Sequence, residues 1–519
     1  MWDVSTELSF SLGLSEADDE SALRKKMAAR LGVAASSLPR VELRKRSVDA
    51  RRGRVRFHVV VGFAPDTEPE LALPHPVEVE GPAQVLIVGD GPAGLFCAYE
   101  LARAGVRAQV VDRGKPVQPR RLDLRGLNQE GRVDPDSNYC FGEGGAGTYS
   151  DGKLYTRSHK RGDVRDVLEI LTLHGAPQAI LVDGRPHIGS NRLPQVITAM
   201  RERLAGLGVE FRFGSRVEDL LCEKRRVVGV KLADGTELTA RAVVLATGHS
   251  ARDVITMLLN HGVRLEQKAF ALGVRIEHPQ PLINDIQYGS DARHPKLGAA
   301  SYKLAETVDG RGVFTFCMCP GGWIVPAATE PETVVVNGMS LSRRDSPFAN
   351  SGLVVEIEPQ DLTGRGFDGP TAGLEFRQAI ERAAFQAGGG KLRAPATRLT
   401  DFLAGRGSST LPKSSYTPGL TAGRVDEVLD CTGLDLSERM RRALPAFDRK
   451  MRGYITEEAV LVGVESRTSS PVRVPRNETL ESTDLAMLFP CGEGAGFAGG
   501  IVSAALDGMN VAREIARRL

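Results

Sequence analysis

The sequence predicts an α/β protein built around one dinucleotide-binding unit, and three observations carry that prediction. Residues 84–114, QVLIVGDGPAGLFCAYELARAGVRAQVVDRG, set a buried apolar run, a GxGxxG turn and a helix in series. A second short apolar run, Ala242 to Gly248, ends in small residues, as a parallel strand beside the first would. Finally, FGEGGAG at 141–147 is echoed by CGEGAG at 491–496, which places two distant glycine turns against one flat, anionic ligand.

Within residues 84–114 each glycine has a distinct expected duty. Gly89 permits the tight turn, Gly91 lets backbone approach a pyrophosphate, and Gly94 lets helix pack on strand. Pro92, Ala93 and Gly94 open the helix, whose unpaired amides and positive end face the phosphates. The next strand ends at Asp112, placed to accept from a ribose, followed by Arg113. A lone GxGxxG is weak evidence. Strand, turn, helix, strand and acid in order are strong.

The chain of 519 residues is too long for one simple core. Residues 1–64 read as a small α/β domain: DESALRKKMAARLG as a helix with Leu23, Met27 and Leu31 on one face, then VELRKRS and RVRFHVVVGF as strands. Arg40, Arg44, Lys45, Arg46, Arg51, Arg52 and Arg54 cluster there; a solvated edge is preferred to a docking surface. Residues 65–83 read as a Pro- and Glu-rich linker. Residues 84–253 form the first part of the dinucleotide domain, continuing through the helix RLPQVITAMRERLAGLG, the strand VEFRFGSRVEDLL and a hairpin. Residues 254–480 change to strands with short connections and read as an inserted substrate domain, and 481–519 close the first domain.

Composition excludes more than it assigns. A formal net charge of +2 gives no electrostatic case for nucleic acid or a membrane surface. No apolar run nears the roughly 20 residues a bilayer span needs, and MWDVSTELSF lacks signal-peptide features. Seven scattered cysteines do not suggest a disulfide framework, so a cytoplasmic location is expected. No set of residues has metal-ligand spacing, and no nucleophile-elbow motif occurs.

The C-terminal echo follows the apolar stretch Leu485 to Phe489 and opens a helix near Gly499, a second strand–turn–helix. At this point the chain resembles the glutathione-reductase-like flavoproteins with two dinucleotide-binding folds. More closely, it resembles a group of bacterial FAD-dependent dehydrogenases with plastid relatives. The shared phrases are NYCFGEGGAGTYSDGKL, RPHIGSNRLPQVITAMR, LATGHSARD, FALGVRIEHPQ, VFTFCMCPGGWIVPA, GVESRTSSPVR and CGEGAGFAGGIVSAALDG. The resemblance implies a Rossmann-like FAD-binding domain, an inserted α+β substrate domain and the small N-terminal α/β domain. It implies FAD as cofactor, with Glu493 in the turn after Gly492 holding the ribityl and phosphate region. Gly500 and Ile501 would present a helix N-terminus to the flavin pyrimidine ring. Gly144, Gly145 and Ala146 would offer amides to the pyrophosphate or ring edge, Val217 a backbone contact to adenine, and Thr247 and Gly248 a strand end beside the dinucleotide.

For chemistry on the flavin, FTFCMCPGGWIV is the notable neighbour. On a regular strand Cys317 and Cys319 point the same way with Cα atoms about 6.6 Å apart, near the limit for a disulfide. Two small buried thiols are preferred to a redox or substrate-binding pair. Arg467 and Arg473 in GVESRTSSPVR suit a bidentate grip on a carboxylate, with a salt-bridged structural loop equally expected. Glu277 and His278 offer a proton donor, a satisfied structural His being preferred. The disulfide-reductase CxxxxC is missing, and so is a second GxGxxG unit. Reduction is therefore expected from a small-molecule substrate, from transiently bound NAD(P)H or from a redox partner protein. A monooxygenase using NADPH, and a non-catalytic assembly factor with structural FAD, remain open.

Overall fold

The computed structural model describes residues 6–16, 19–51, 54–64, 75–156 and 162–519. Arg52 of the basic cluster and residues 65–74 of the expected linker lie outside them. Strands β1 (Glu7–Leu12), β2 (Val41–Asp49) and β3 (Arg56–Phe63) form an antiparallel sheet in the order β1-β3-β2. Helix α1 (Glu20–Leu31), capped by Asp19 and stopped by Gly32 in the left-handed region, buries Leu23, Met27 and Ala28 against it. β1 has no counterpart in the sequence reading; its polar-rich ELSFSL alternates too briefly to stand out. Arg40, Lys45, Arg51 and Arg54 are exposed, as a solvated edge requires, while two of the cluster are engaged. Arg44 reaches Glu7 at 3.4 Å, and Arg46 pairs with Asp183 at 3.1 Å, tying this sheet to the rest of the chain.

Four all-buried or short runs, β4 (Val85–Val88), β5 (Ala108–Val111), β6 (Glu210–Arg212) and β10 (Ala242–Leu245), lie parallel with β18 (Leu488–Pro490), in the order β18-β10-β4-β5-β6. VLIV, AQVV and AVVL carry no alternation because both faces are covered. One face receives α2 (Pro92–Arg103), α4 (Leu193–Gly206) and α6 (Ile501–Arg518). The other meets an antiparallel sheet of β7 (Val217–Glu223), β8 (Arg226–Leu232) and β9 (Glu237–Thr239). The stretch VEFRFGSRVEDLL is thus two strands. Gly214, at φ +64°, turns the chain from β6 into the second sheet, so Val217 begins β7.

The remaining core is a seven-stranded sheet whose centre is β11 (Phe270–Pro279), with β13 (Arg311–Cys319), β14 (Phe348–Ile357) and β17 (Val460–Glu465) around it. β12 (Ala305–Val308), β15 (Ala394–Arg398) and β16 (Leu420–Ala422) complete it. Helices α3 (Val117–Glu130) and α5 (Ala372–Gly388) flank these layers. Burying FALGVRIEHP forces its polar residues to be paired. Arg275, fully buried, donates to Glu465 at 2.7 Å, to Asn350 at 2.9 Å and to the Cys317 carbonyl at 2.8 Å. Removing one member leaves an uncompensated charge. Arg275→Met should therefore cost about 3–5 kcal/mol in urea unfolding, and adding Glu465→Leu should restore much of it.

Candidate functional site

The turn after β4 is closed at two glycines and open at the third. At Gly89, φ +102°, a Cβ would lie 2.5 Å from the Ala246 carbonyl oxygen. At Gly94 it would lie 1.9 Å from the Gly89 oxygen, so helix and strand touch through backbone alone. At Gly91, φ −74°, the nearest atom would be 3.9 Å away. Nothing within the protein requires glycine there. The open space over Gly91 and an α2 N-terminus that no side chain caps together form a cradle that fits a phosphate group.

Both glycine phrases meet at this turn. A Cβ on Gly145 would be 3.0 Å from the Gly91 Cα, and one on Gly492 would be 2.8 Å from the Ala93 Cβ. The Gly144 amide donates to the Asp90 carbonyl at 2.9 Å. A Cβ on Gly147 would touch both Ile501 and Pro92, so the starts of α2 and α6 adjoin one glycine. Gly494 packs on the Gly248 carbonyl, just beyond Thr247. Gly500, φ +122°, leads into Ile501, and Ala146 sits within the short turn Gly145–Gly147.

The repeated phrases carry acids with different surroundings. Glu143 is fully buried, accepting from the Val117 amide and pairing with Arg201 at 2.7 Å. Glu493 remains a quarter exposed, 3.6 Å from His249 Nδ1. Fully buried Arg120 fixes the first phrase by donating to the carbonyls of Asn138, Glu143 and Gly145 at 2.8–2.9 Å. Asp507 fixes the second, accepting from the Gly492 amide at 2.7 Å while paired with Arg476 at 2.6 Å.

Asp112 accepts from the amides of Asp90, Gly114 and Gly142, so one function of the expected ribose acid is to organise backbone. Arg113 lies over Phe141 and pairs with Asp136 and Asp253. With Val217, Ser250 and Thr329 it lines a cavity of about 500 Å³. Asp90 is enclosed between the glycines with neither carboxylate oxygen partnered among the described residues. Burial, then Asp112 and Glu143, raise its pKa well above the usual range, which favours the protonated acid.

The thiol pair departs from the regular strand. β13 is bulged between Phe316 and Cys319, and Cys317 has φ +42°, so the expected alternation breaks there. Cys319 is buried but Cys317 is exposed, which corrects the picture of two buried thiols; both are free. Burial nevertheless pushes the Cys317 thiol up to about 11. Lys153, absent from the sequence reading, brings its Nζ to 3.6 Å from Cys319 Sγ. The DGK triplet held it in plain view, but only the tertiary fold brings it to a thiol 166 residues away.

The two arginines expected to grip a carboxylate are committed differently. Arg467 lies against buried Glu381 at 3.3 Å and donates to Thr329 at 2.7 Å. It belongs to the structural network and leaves no fork for a ligand. Arg473 is half exposed, 3.9 Å from Glu266 and beside the Phe497 ring. His278 is fully enclosed, bonded through Nε2 to the Tyr454 carbonyl, and burial lowers it to about 4, which makes it a neutral structural group.

An uncharacterised protein of Clostridium beijerinckii is 41% identical over 527 residues, covering 97% of each chain. The chain belongs to the same family. Within this family member, residues 82–129 match an FAD binding domain, 189–298 an FAD dependent oxidoreductase and 269–468 an FAD-dependent protein C-terminal domain; 5–64 match a domain of unknown function. Its cofactor is FAD, and it is an oxidoreductase by family. The 6-methylpretetramide 4-monooxygenase of Streptomyces rimosus is 34% identical over 278 residues, half of this chain and 43% of that one. CtdE, solved in complex with FAD, aligns over 84% of both chains at 10% identity and a TM-score of 0.33. Among the described residues no helix is long and apolar enough to cross a membrane.

Two substitutions separate folding from cofactor capture. Gly91→Ala should keep the apo-protein's stability within about 1 kcal/mol yet lose flavin absorbance. Gly94→Ala should cost about 3 kcal/mol or more, because its methyl meets backbone. Asp90→Asn tests the trapped proton. Below about pH 4 folded and unfolded chains both hold it; above that the unfolded chain releases it first, so the acid costs stability increasingly as pH rises. The variant should match the parent near pH 4 and melt higher at neutral pH.

Proposed function

We propose that the chain is an FAD-dependent dehydrogenase or reductase that exchanges hydride or electrons with a small-molecule substrate. The observation that carries this reading is the open cradle at Gly91, walled by two glycine turns that allow a ligand to approach backbone. Bound FAD supplies the electron transfer; the chain binds, orients and handles protons.

In this reading the amides following Gly91, together with Gly144, Gly145 and Ala146, receive the pyrophosphate. Arg113 and Val217 border the adenosine, and Asp112 holds the turn beneath it while retaining lone-pair capacity for a ribose hydroxyl. Thr247 and Gly248 flank the dinucleotide, Gly492 and Glu493 face the ribityl–phosphate region, and α6 from Gly500 and Ile501 turns its positive end toward the pyrimidine edge. Cys319 holds its sulfur 3.6 Å from Lys153 Nζ, and Cys317, whose thiol burial pushes up to about 11, is the exposed member of the pair.

The likeness to the Streptomyces rimosus enzyme favours a second reading, a monooxygenase reduced by transient NADPH. Anaerobic titration of the yellow holoprotein with NADPH, followed by air, discriminates between them. Resistance to NADPH with bleaching by a metabolite supports the dehydrogenase. Rapid NADPH bleaching with oxygen-dependent hydroxylation of an added substrate supports the monooxygenase, and a flavin that never cycles rejects both in favour of structural FAD. Glu493→Gln should weaken FAD binding about tenfold, read by fluorescence titration of the apo-protein.

A further inference from the structure

We propose that Cys222 is a site of reversible exchange with small disulfides, with His261 as its base and Asp219 orienting the ring. The Cys222 Sγ lies 3.7 Å from His261 Nδ1, and His261 Nε2 lies 2.5 Å from Asp219 Oδ1. Asp219 is held below the usual carboxylate range, burial being outweighed by His261 and the Leu220 amide. An ionised carboxylate only accepts, so Nε2 carries the ring proton and Nδ1 turns its lone pair to the thiol. Thiol, imidazole and carboxylate in that order activate a weak nucleophile. The fold assembles them from two elements. Asp219 and Cys222 stand on β7, whose pairing with β8 shifts register between Leu221 and Cys222. Residues three apart on a regular strand face opposite ways, yet across this irregularity both reach one ring. His261 caps the C-terminus of the helix Arg252–Asn260, where the helix dipole favours the positive charge the ring acquires as a base.

Cys222 is exposed, and 22% of the His261 side chain and 55% of the Asp219 side chain meet solvent. A disulfide needs only an approach in line with the attacking sulfur, whereas acyl transfer would also need donors for an oxyanion. Burial and then Asp219 push the Cys222 thiol up, with Arg225 opposing, so it rests protonated at neutral pH and depends on a base. Asp219 in turn feels Lys231 of β8. The other exposed thiols, Cys317 and Cys431, are also raised by burial and have no imidazole in contact among the described residues. In the exchange, His261 Nδ1 takes the Cys222 proton as Sγ attacks one sulfur of the disulfide. The S–S bond breaks, the leaving thiolate recovers that proton, and Cys222 remains in a mixed disulfide. One thiol and one disulfide are consumed and one of each is formed, so no further oxidant enters. Val217 at the start of β7 and Arg252 at the start of the helix line the cavity beside Arg113, and the three groups stand toward the far ends of these elements. The nine-residue helix spans about 13 Å, so the exchange is separate from that cavity and does not rest on the flavin reading.

Purified full-length holoprotein is incubated with glutathione disulfide at pH 7, quenched with acid at intervals and digested for peptide mass mapping. Cys222 should be modified about tenfold faster than Cys317 or Cys431, and dithiothreitol should restore the thiol. His261→Gln should slow the reaction about tenfold at pH 7 with flavin absorbance and melting temperature retained. Near pH 10, where hydroxide removes the thiol proton unaided, the variant should approach the parent rate, a recovery that altered access alone would not produce. Asp219→Asn should slow the exchange about threefold. If His261→Gln fails to fold, His261→Asn takes its place with the same expectations. Equal rates for Cys222 and the other exposed thiols, or equal rates at pH 7 for parent and His261 variant, overturn the assignment.

Discussion

Three glycine turns approach one another around residues 91–93 with only small side chains such as Ala93 and Pro92 between them, and the architecture of the site depends on that contact. A methyl at Gly89, Gly94, Gly145 or Gly492 would meet neighbouring atoms at 1.9–3.0 Å, so the site tolerates no added bulk on its walls. Such loops have little apolar surface of their own to hold them. Their rigidity comes from buried charge: Arg120 gathers three carbonyls of the first phrase, and Asp507 with Arg476 clamps the second. Each cation or acid is satisfied by backbone dipoles rather than by water, which makes the loops stiff at the cost of sensitivity to any change in those residues.

The same economy of charge separates structural from functional groups. Glu381 sits among Arg252, Arg377 and Arg467 and is held down to about 2, burial being outweighed by Arg467, then Arg252 and Arg377. Arg377, lowered to about 9 by burial and then by its like-charged neighbours, carries part of the strain of that cluster. Arg377 and Arg467 are buried in that cluster, while Arg252 also lines the cavity beside Arg113. Near Cys317, Arg275 faces Glu465, and Asp151 is shared between Arg344 at 2.6 Å and Lys153 at 3.6 Å.

Elements whose logic is local were legible in the sequence. The β4–Gly91–α2 unit declared itself because strand, turn and helix are contiguous and the glycine spacing reports backbone contacts a few residues apart. The near-identity of FGEGGAG and CGEGAG announced two similar turns, but not that Glu143 is buried and Glu493 open. That difference is set by Val117 and Arg201, which the phrase itself does not contain. Cys317 and Cys319 were misplaced because period-two alternation assumes an unbroken ladder, and the bulge in β13 is decided by its pairing with β14. Arg467 read as available only because its partner, Glu381, lies 86 residues away on another element. Lys153 was passed over for the converse reason, since an isolated lysine after Asp-Gly is unremarkable until a fold places it over a thiol.

β18 and α6 complete the parallel sheet and supply one wall of the Gly91 cradle, yet β18 follows β4 by some 400 residues. On the ribosome, β4, α2 and the first glycine phrase emerge long before their closing partners, and at ordinary elongation rates that gap lasts tens of seconds. Through that interval the apolar edge of β10 has no neighbour. The nascent polypeptide must therefore carry an unfinished sheet until translation delivers its last strand, and only then does the Gly91 cradle gain its C-terminal wall.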